Sequence, residues 1–331
     1  MPLYLTGFFG AEVGETVMSI GKRRFKRWWL RGAAIVLVLG LLVFAITDWI
    51  AAPAVDRSLR EELTAGVSFR EIEGAQLAFR QAGDSGDPLL LIHGFLGSSY
   101  DFNLLMPELA RDRKVIAVDQ IGFGLSDKNP DLTYSKAQMA RLCIALMADL
   151  GHDRYDVLGH SMGGEVGLQM AVLAPEQVRR LVLLNSAGLE DLQRGMRGTL
   201  PAWFLDGVFK NYLIQRLGFP FSVYNRDAAT TDVFNHFFFF NNQIPASTLN
   251  RLVEDNDSGA LAPVLDQVRQ PALLVWGAQD RVIPLAQGEE LDRILPDSRL
   301  VVLEDCGHLT FLEKPEETLA AVRDFLDEAQ P

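Results

Sequence analysis

The chain has 331 residues, of which 48% are hydrophobic and 22% are charged, and its formal net charge is −12. This composition is ordinary for a globular protein with a sizeable core, and the length allows one large α/β domain or two smaller ones. The negative charge argues against a nucleic-acid partner, because the body of the chain contains no basic patch.

The N-terminus has the only concentration of positive charge, six cations between Lys22 and Arg31. Sixteen uncharged residues follow, 32–47. As a helix they would cover about 24 Å, slightly less than the roughly 30 Å hydrocarbon layer. We interpret 1–31 as a basic cytoplasmic segment, 32–52 as a transmembrane signal anchor and 53–66 as a linker. The cation cluster places the rest of the chain on the non-cytoplasmic side, periplasmic or extracellular.

Two other interpretations of this segment stay open. Ala52-Pro53-Ala54 loosely fits the cleavage rule of a secretory signal peptide. The apolar stretch could also be a helix packed on the domain, although six neighbouring cations are unusual for one. The true start could be Met18 rather than Met1, since an export signal normally begins just before its basic stretch.

The first strands predicted from the sequence form one side of a sheet. Residues 68–72 and 76–81 predict an antiparallel hairpin, and the apolar run 88–92 predicts a central strand buried on both faces. That strand ends in His93-Gly94-Phe95-Leu96-Gly97. The glycines allow the loop to curl close to a substrate, so we expect the backbone N–H of Phe95 to be an oxyanion donor.

The next elements lead to a sharp turn. A strand at 114–118 precedes a Gly-containing loop that we expect to be structural, and 135–150 predicts an amphipathic helix. A short strand from Tyr155 then enters Gly159-His160-Ser161-Met162-Gly163, which opens another helix. A Gly-x-Ser-x-Gly between strand and helix is typical of a nucleophile elbow. The turn raises the Ser161 hydroxyl above the sheet and directs the Met162 N–H toward developing negative charge.

Three more strands are predicted, at 178–185, 271–276 and 299–303, with a closing helix near 315–328. Strands alternating with helices form a parallel sheet with right-handed crossovers. Ligands gather at the carboxyl ends of such strands. The residues predicted at those ends are Phe95, Ser161, Asp280 and His308. The two cysteines, Cys143 and Cys306, fall in different elements and are expected to be reduced and unpaired.

Four motifs resemble the α/β-hydrolase superfamily, in its serine esterase and lipase branch with a cap domain. They are His93-Gly94, the Gly159–Gly163 elbow, Gly277-x-x-Asp280 and Gly307-His308. The resemblance covers about 67–330 and implies a hydrolase core at 67–187 and 269–331. It also implies a catalytic triad of Ser161, His308 and Asp280. Epoxide hydrolases and haloalkane dehalogenases share this framework but have Asp at the nucleophile position, so Ser161 argues against both chemistries.

The acid and the base of this triad have competitors. Glu190 and Asp191 follow the 178–185 strand, where some superfamily members place their acid. We prefer Asp280. The other four histidines are interpreted as structural, with His93 bracing the oxyanion loop.

Between 188 and 268 the strand–helix alternation breaks, and we interpret this segment as a cap domain. It is rich in aromatic residues, including the run Phe237–Phe240. Four consecutive phenylalanines on a helix project in all directions, so some must face the pocket or a membrane. An apolar pocket favours acyl esters over charged metabolites. We assign four residues to this pocket: Leu96, His160, Phe237 and Val282.

The sequence therefore predicts a membrane-anchored serine hydrolase that cleaves small-molecule or lipid acyl esters through an acyl-enzyme on Ser161. The mechanism requires no cofactor, and no Cys/His spacing indicates a metal. Alternatives on the same scaffold are an acyltransferase, a thioesterase, a C–C bond hydrolase or a perhydrolase. If the chain is not an enzyme, the alternative is a non-catalytic binding protein. Chain-length preference and oligomeric state are left open.

Overall fold

The computed structural model describes residues 38–40, 42–47, 49–189 and 199–328. It divides into two compact units, Met1–Ala51 and Ala52–Pro331. The first described helix is α1, Val38–Thr64, which by length and composition could cross a membrane. A signal sequence near the N-terminus passes the same test. The predicted basic segment 1–31 lies outside the described residues.

The second unit is organised around one sheet of eight strands. In chain order they are β1 (Val67–Ile72), β2 (Ala75–Ala82), β3 (Pro88–Ile92), β4 (Lys114–Val118), β5 (Tyr155–His160), β6 (Val178–Leu184), β7 (Ala272–Gly277) and β8 (Ser298–Leu303). Their order in space is β1-β2-β4-β3-β5-β6-β7-β8. β2 pairs antiparallel with β1 and β4, and the remaining neighbours are parallel. The predicted α/β fold with a mostly parallel sheet is confirmed.

The central strands are apolar because the sheet is covered on both faces. β5 and β7 are buried at every position. In β3, Leu89 and Leu91 pack into one apolar cluster, whereas Leu90 and Ile92 pack into another. Successive side chains of a strand point to opposite faces, so each strand contributes to two cores at once.

The helices fall into two groups. Those that follow the strands of the core are α2 (Met106–Leu109), α3 (Lys136–Asp149), α4 (Met162–Leu173), α9 (Leu285–Ile294), α10 (Thr310–Glu313) and α11 (Pro315–Asp327). Those of the predicted cap, between β6 and β7, are α5 (Ala202–Phe204), α6 (Tyr212–Gly218), α7 (Thr231–Asn241) and α8 (Ala246–Glu254). The segment between β6 and β7 is therefore helical in most of its described residues, and we refer to it as the cap.

Helix α7 carries the phenylalanine run, and its neighbours explain where those rings go. Phe238, Phe239 and Phe240 are buried in a cluster that also contains Val55 and Leu63 of α1. The residues predicted as a linker thus continue α1 and pack against α7. Each fully buried ring contributes roughly 1.5–3 kcal/mol, so this packing holds α7 in place over the sheet.

Hydrogen bonds to two side-chain carboxylates join the C-terminal end of the cap to the core. The buried Glu165 of α4 accepts hydrogen bonds from the Ser258 hydroxyl at 2.9 Å and the Gly259 N–H at 2.7 Å. Asp255 accepts from the Tyr134 N–H at 2.9 Å. Because Glu165 lies one turn after Ser161, the elbow helix and the cap are held in one arrangement.

Candidate active site

The turn at Ser161 has the strained geometry that its sequence predicts. Ser161 lies between β5 and α4 at φ 54° and ψ −120°, a conformation that side-chain-bearing residues rarely adopt. A Cβ at Gly163 would collide with the carbonyl oxygen of Ile92, and one at Gly159 would collide with the Gly163 backbone. The turn can close this tightly only because both positions lack a side chain.

His308 and Asp280 form a buried hydrogen-bonded pair. The His308 Nδ1 lies 2.8 Å from Asp280 Oδ2, and the Asp280 side chain has no exposed surface. An ionised carboxylate only accepts hydrogen bonds, so Nδ1 carries the proton and Nε2 keeps its lone pair. This is the tautomer that a general base requires.

The Asp280 carboxylate is saturated by fixed donors. Its Oδ1 accepts the backbone N–H groups of Val282 at 2.7 Å and Ile283 at 3.0 Å. Its Oδ2 accepts the Asn185 side-chain amide at 2.7 Å as well as the imidazole. Sequence reasoning missed Asn185, although a polar residue at the carboxyl end of an apolar strand was a signal. Its φ of 44° ends β6 one residue earlier than predicted.

Glu313 is a second residue that the sequence did not indicate. One carboxylate oxygen accepts the N–H groups on either side of His308, from Gly307 at 3.0 Å and Leu309 at 3.3 Å. The other oxygen accepts the N–H groups of Tyr224 at 2.7 Å and Asn225 at 2.8 Å in the cap. Glu313 therefore fixes the His308 loop and ties it to the cap.

His160 contacts the same loop, at the backbone of His308. Its Nε2 lies 3.0 Å from the His308 carbonyl oxygen, and the two rings are 4.7 Å apart. Burial, followed by the charge of His308, lowers the pKa of His160 well below the usual value for histidine. The ring is therefore neutral, its Nε2–H donates to the carbonyl, and it holds the His308 backbone.

The loop after β3 is braced by Asp119 and His93. Asp119 accepts the Ser99 N–H at 2.5 Å and the Leu125 N–H at 2.7 Å, and His93 Nε2 accepts the Gln120 N–H at 3.0 Å. Within the described part of the chain, the Phe95 N–H has no backbone acceptor. Met162 is the first residue of α4, so its N–H has no intrahelical partner. Both predicted oxyanion donors are thus free to bind an anion.

A cavity of about 430 Å³ brings most of the predicted site residues together. It lies between the core and the cap, and its lining is mostly apolar. The predicted residues among those lining it are Phe95, Leu96, His160, Ser161, Phe237, Val282 and His308. Asp280 lies behind His308 and does not line the cavity. The competing acids Glu190 and Asp191 lie outside the described residues.

Asp101 adds a carboxyl group to the cavity lining. Burial, aided by the negative charge of Asp119, raises the pKa of Asp101 well above the ordinary value, and hydrogen bonds to Ser98 act in the opposite direction. The folded protein therefore holds this proton at pH values at which an unfolded chain has lost it. As the pH rises above the ordinary Asp pKa, the parent protein loses stability through this group.

Replacing this carboxyl by an amide removes the titration, so Asp101→Asn should raise the melting temperature relative to the parent more at about pH 8 than at about pH 4.5. We expect a difference of at least about 2 °C, the change that roughly 1 kcal/mol produces in a domain of this size. Thermal unfolding of the full chain in detergent measures it, with the exposed Asp153→Asn as control. A gain that is equal at both pH values would contradict the assignment.

Comparisons with known proteins identify the family of the fold. The family model for the alpha/beta hydrolase fold matches residues 87–315. Lipase 1 of Psychrobacter immobilis is 30% identical over 254 residues, covering 74% of this chain and 78% of its own length. The 2-hydroxymuconate semialdehyde hydrolase of Pseudomonas sp. (strain CF600) is 30% identical over 258 residues, covering 74% and 88%. The crystal structure of a membrane phospholipase A, a bacterial virulence factor, superposes with a TM-score of 0.68 at 26% identity. It covers 91% of this chain and 98% of that chain.

Proposed function

The chain belongs to the α/β-hydrolase family, and from that membership we propose that it is a serine hydrolase that cleaves carboxylic esters of acyl groups. The observation that carries the proposal is the His308–Asp280 hydrogen bond of 2.8 Å beside a cavity that Ser161 also lines. A serine hydroxyl is a poor nucleophile at neutral pH and needs such a base.

In the first half-reaction, Ser161 Oγ attacks the ester carbonyl carbon while His308 Nε2 takes the hydroxyl proton. Asp280 holds the tautomer and stabilises the imidazolium that forms. The carbonyl oxygen gains the negative charge and is bound by the N–H groups of Phe95 and Met162. Removing one such donor typically slows turnover about 10²–10³-fold. His308 then returns the proton to the leaving alcohol, and the acyl group remains on Ser161.

In the second half-reaction, a water molecule replaces the alcohol. His308 takes one proton from the water as its oxygen attacks the acyl carbon. The tetrahedral intermediate collapses, the bond to Ser161 Oγ breaks, and His308 returns the proton to the serine. The products are a carboxylic acid and free enzyme, so no redox partner is needed.

The lining of the cavity supports an apolar acyl group as the substrate. Among the residues that the structure describes, its walls include Phe219, Phe234 and Phe237 of the cap and no Arg or Lys. Apolar walls with a few polar groups are typical of ligand pockets of this size. The lipase and membrane phospholipase relatives support lipid esters among the candidates.

C–C bond hydrolysis is a second candidate, because a relative of that class is as similar as the lipase. The same triad would serve, and the cavity decides between the two. A muconate-derived substrate carries a carboxylate, for which the described part of the cavity lining offers no arginine or lysine. Ester hydrolysis is therefore the function that the lining favours.

The proposal includes a location in the membrane, with α1 as anchor and the hydrolase on the non-cytoplasmic side. Six cations precede the apolar stretch, α1 is long and apolar enough to span, and the membrane phospholipase A aligns with 91% of the chain. A reporter enzyme active only outside the cytoplasm, fused after Pro331, tests the side. Activity of a cytoplasmic reporter alone would contradict it.

A substrate panel tests the proposed reaction. The full chain in detergent should hydrolyse p-nitrophenyl esters of fatty acids with a kcat/KM at least about a hundred times that for a muconate-derived substrate of C–C bond hydrolysis. The reason is that only the muconate-derived substrate carries a charge. Acyl thioesters and added alcohol acceptors, included as further arms, separate thioesterase and acyltransferase activity. The full chain is needed because truncation before residue 56 would remove Val55 from its contact with the cap. A preference for the C–C substrate would transfer the assignment to that reaction.

A further inference from the structure

Two amide side chains of the cap belong to the cavity lining, and each has one buried polar atom without a hydrogen-bond partner among the described residues. Gln215 of α6 and Asn241 of α7 both belong to the lining that includes Ser161 and His308. The Nε2 of Gln215 and the Oδ1 of Asn241 are buried, and neither has a partner among the described residues. Neighbouring amides of the cap are satisfied. The Gln243 amide donates to the Phe239 carbonyl at 2.9 Å, and the Asn211 side chain caps α6.

This arrangement is unfavourable in the protein alone. Buried polar atoms of folded proteins almost always have a hydrogen-bond partner, because losing contact with water without one is destabilising. The walls around these amides include Phe209, Ile214 and Phe234, and apolar residues there would remove the problem. Unpaired polar atoms in an otherwise apolar pocket are typical of a site that orients a specific ligand.

We propose that Gln215 and Asn241 form a hydroxyl-binding subsite that selects acyl esters carrying a hydroxyl group. The inference rests on the proposed ester hydrolysis and specifies the substrate class. Gln215 offers a donor and Asn241 offers an acceptor, and a hydroxyl can satisfy either one. An amide can also exchange its oxygen and nitrogen by rotation, and a hydroxyl fits both orientations, whereas a carbonyl accepts only.

Charged groups fit this subsite less well than a hydroxyl. The lining residues within 49–189 and 199–328 include no Arg or Lys to balance a carboxylate or phosphate, and their carboxyl group, Asp101, would repel an anion once ionised. Two neutral amides would also leave an ammonium group without a counter-charge. A neutral hydroxyl requires neither, so it can enter an apolar cavity with the smallest loss of hydration.

The hydroxyl can belong to the acyl chain or to the alcohol of the ester. The acyl arm of the test compares p-nitrophenyl decanoate with hydroxydecanoates that carry the hydroxyl near the ester, at mid-chain or at the chain end. The alcohol arm compares propyl decanoate with monodecanoylglycerol. In each arm the reported quantity is the ratio of kcat/KM for the hydroxylated ester to kcat/KM for its plain partner.

The variants are Gln215→Leu, Asn241→Leu and the double variant, all in the full chain in detergent. Asn242→Leu is the matched control, because Asn242 faces a different cavity, beside Ala52 and Val55. Each single variant should lower the ratio about tenfold in one arm, the effect of losing one hydrogen bond. The kcat/KM for the plain ester is measured for every variant as the reference for this ratio. The control should leave both values within about twofold.

The outcomes separate the two proposals. A ratio that falls in the acyl arm places the hydroxyl on the chain, and one that falls in the alcohol arm places it on the alcohol. A ratio unchanged by the double variant in both arms, in protein with the parent melting temperature, overturns the subsite while ester hydrolysis stands. A parent chain that hydrolyses none of these esters overturns the proposed function, and the subsite inference with it.

Discussion

Ser161→Ala should lower turnover of p-nitrophenyl esters by at least about three orders of magnitude while leaving the fold intact. The methyl group of alanine requires no more space than the serine side chain. Alanine also meets the same strained backbone, φ 54° and ψ −120°, so the elbow is no more strained in the variant than in the parent. The variant loses only the hydroxyl oxygen that would form the acyl-enzyme, and water must attack directly.

The measurement is single-turnover and steady-state hydrolysis, combined with labelling by a serine-directed phosphonate. The parent should carry one adduct on the peptide that contains Ser161, and the variant should carry none. Ser186→Ala is the matched control, since Ser186 is also buried near the elbow and its hydroxyl donates to the Ala187 carbonyl at 2.7 Å. It should keep activity within about tenfold. Variant activity close to that of the parent would refute Ser161 as the nucleophile.

The sequence was most informative where the backbone leaves little choice. The apolar runs placed the central strands to within two residues, because strands buried on both faces can contain little else. The turn at Ser161 could be predicted from the sequence for a related reason. A Cβ at Gly159 or Gly163 collides with neighbouring backbone, so the glycines that permit the turn also identify it.

The sequence was least informative where a residue acts across the chain. Asn185 meets Asp280 across 95 positions, and Glu313 meets Tyr224 across 89. The end of an apolar strand marks Asn185 as a candidate, but no local pattern names its partner or marks Glu313, because both contacts are set by how distant parts of the chain fold together. The packing of Val55 and Leu63 on α7 escaped prediction for the same reason. The triad residues themselves remain predictions that only variants can test.

Asp280→Asn is expected to lower turnover by about 10³–10⁴-fold, as large an effect as removing the nucleophile. The orientation of the new amide is fixed by the site. Oδ1 of Asp280 accepts two backbone N–H groups, at 2.7 and 3.0 Å, so the amide oxygen must take that position. The amide nitrogen then takes the place of Oδ2 and points its hydrogens at His308 Nδ1.

The imidazole must respond by changing tautomer. Nδ1 can no longer donate to a group that is itself a donor, so it accepts, and the ring proton moves to Nε2. A protonated Nε2 cannot take the proton of Ser161, and the developing imidazolium loses the carboxylate that would stabilise it. The loss should therefore fall on kcat, with KM nearly unchanged, because the cavity that binds the acyl group does not include Asp280.

A matched control is provided by Asp305→Asn, which makes the same change three residues before His308. Asp305 is exposed and has a φ of 53°, a backbone conformation that asparagine tolerates well. Activity of this control should equal that of the parent within about twofold. Glu190→Gln and Asp191→Asn complete the set, because they carry the competing assignment of the acid. Should either of them lose turnover by the expected factor while Asp280→Asn keeps it, the acid of the triad would belong to the loop after β6, and the His308–Asp280 hydrogen bond would be structural.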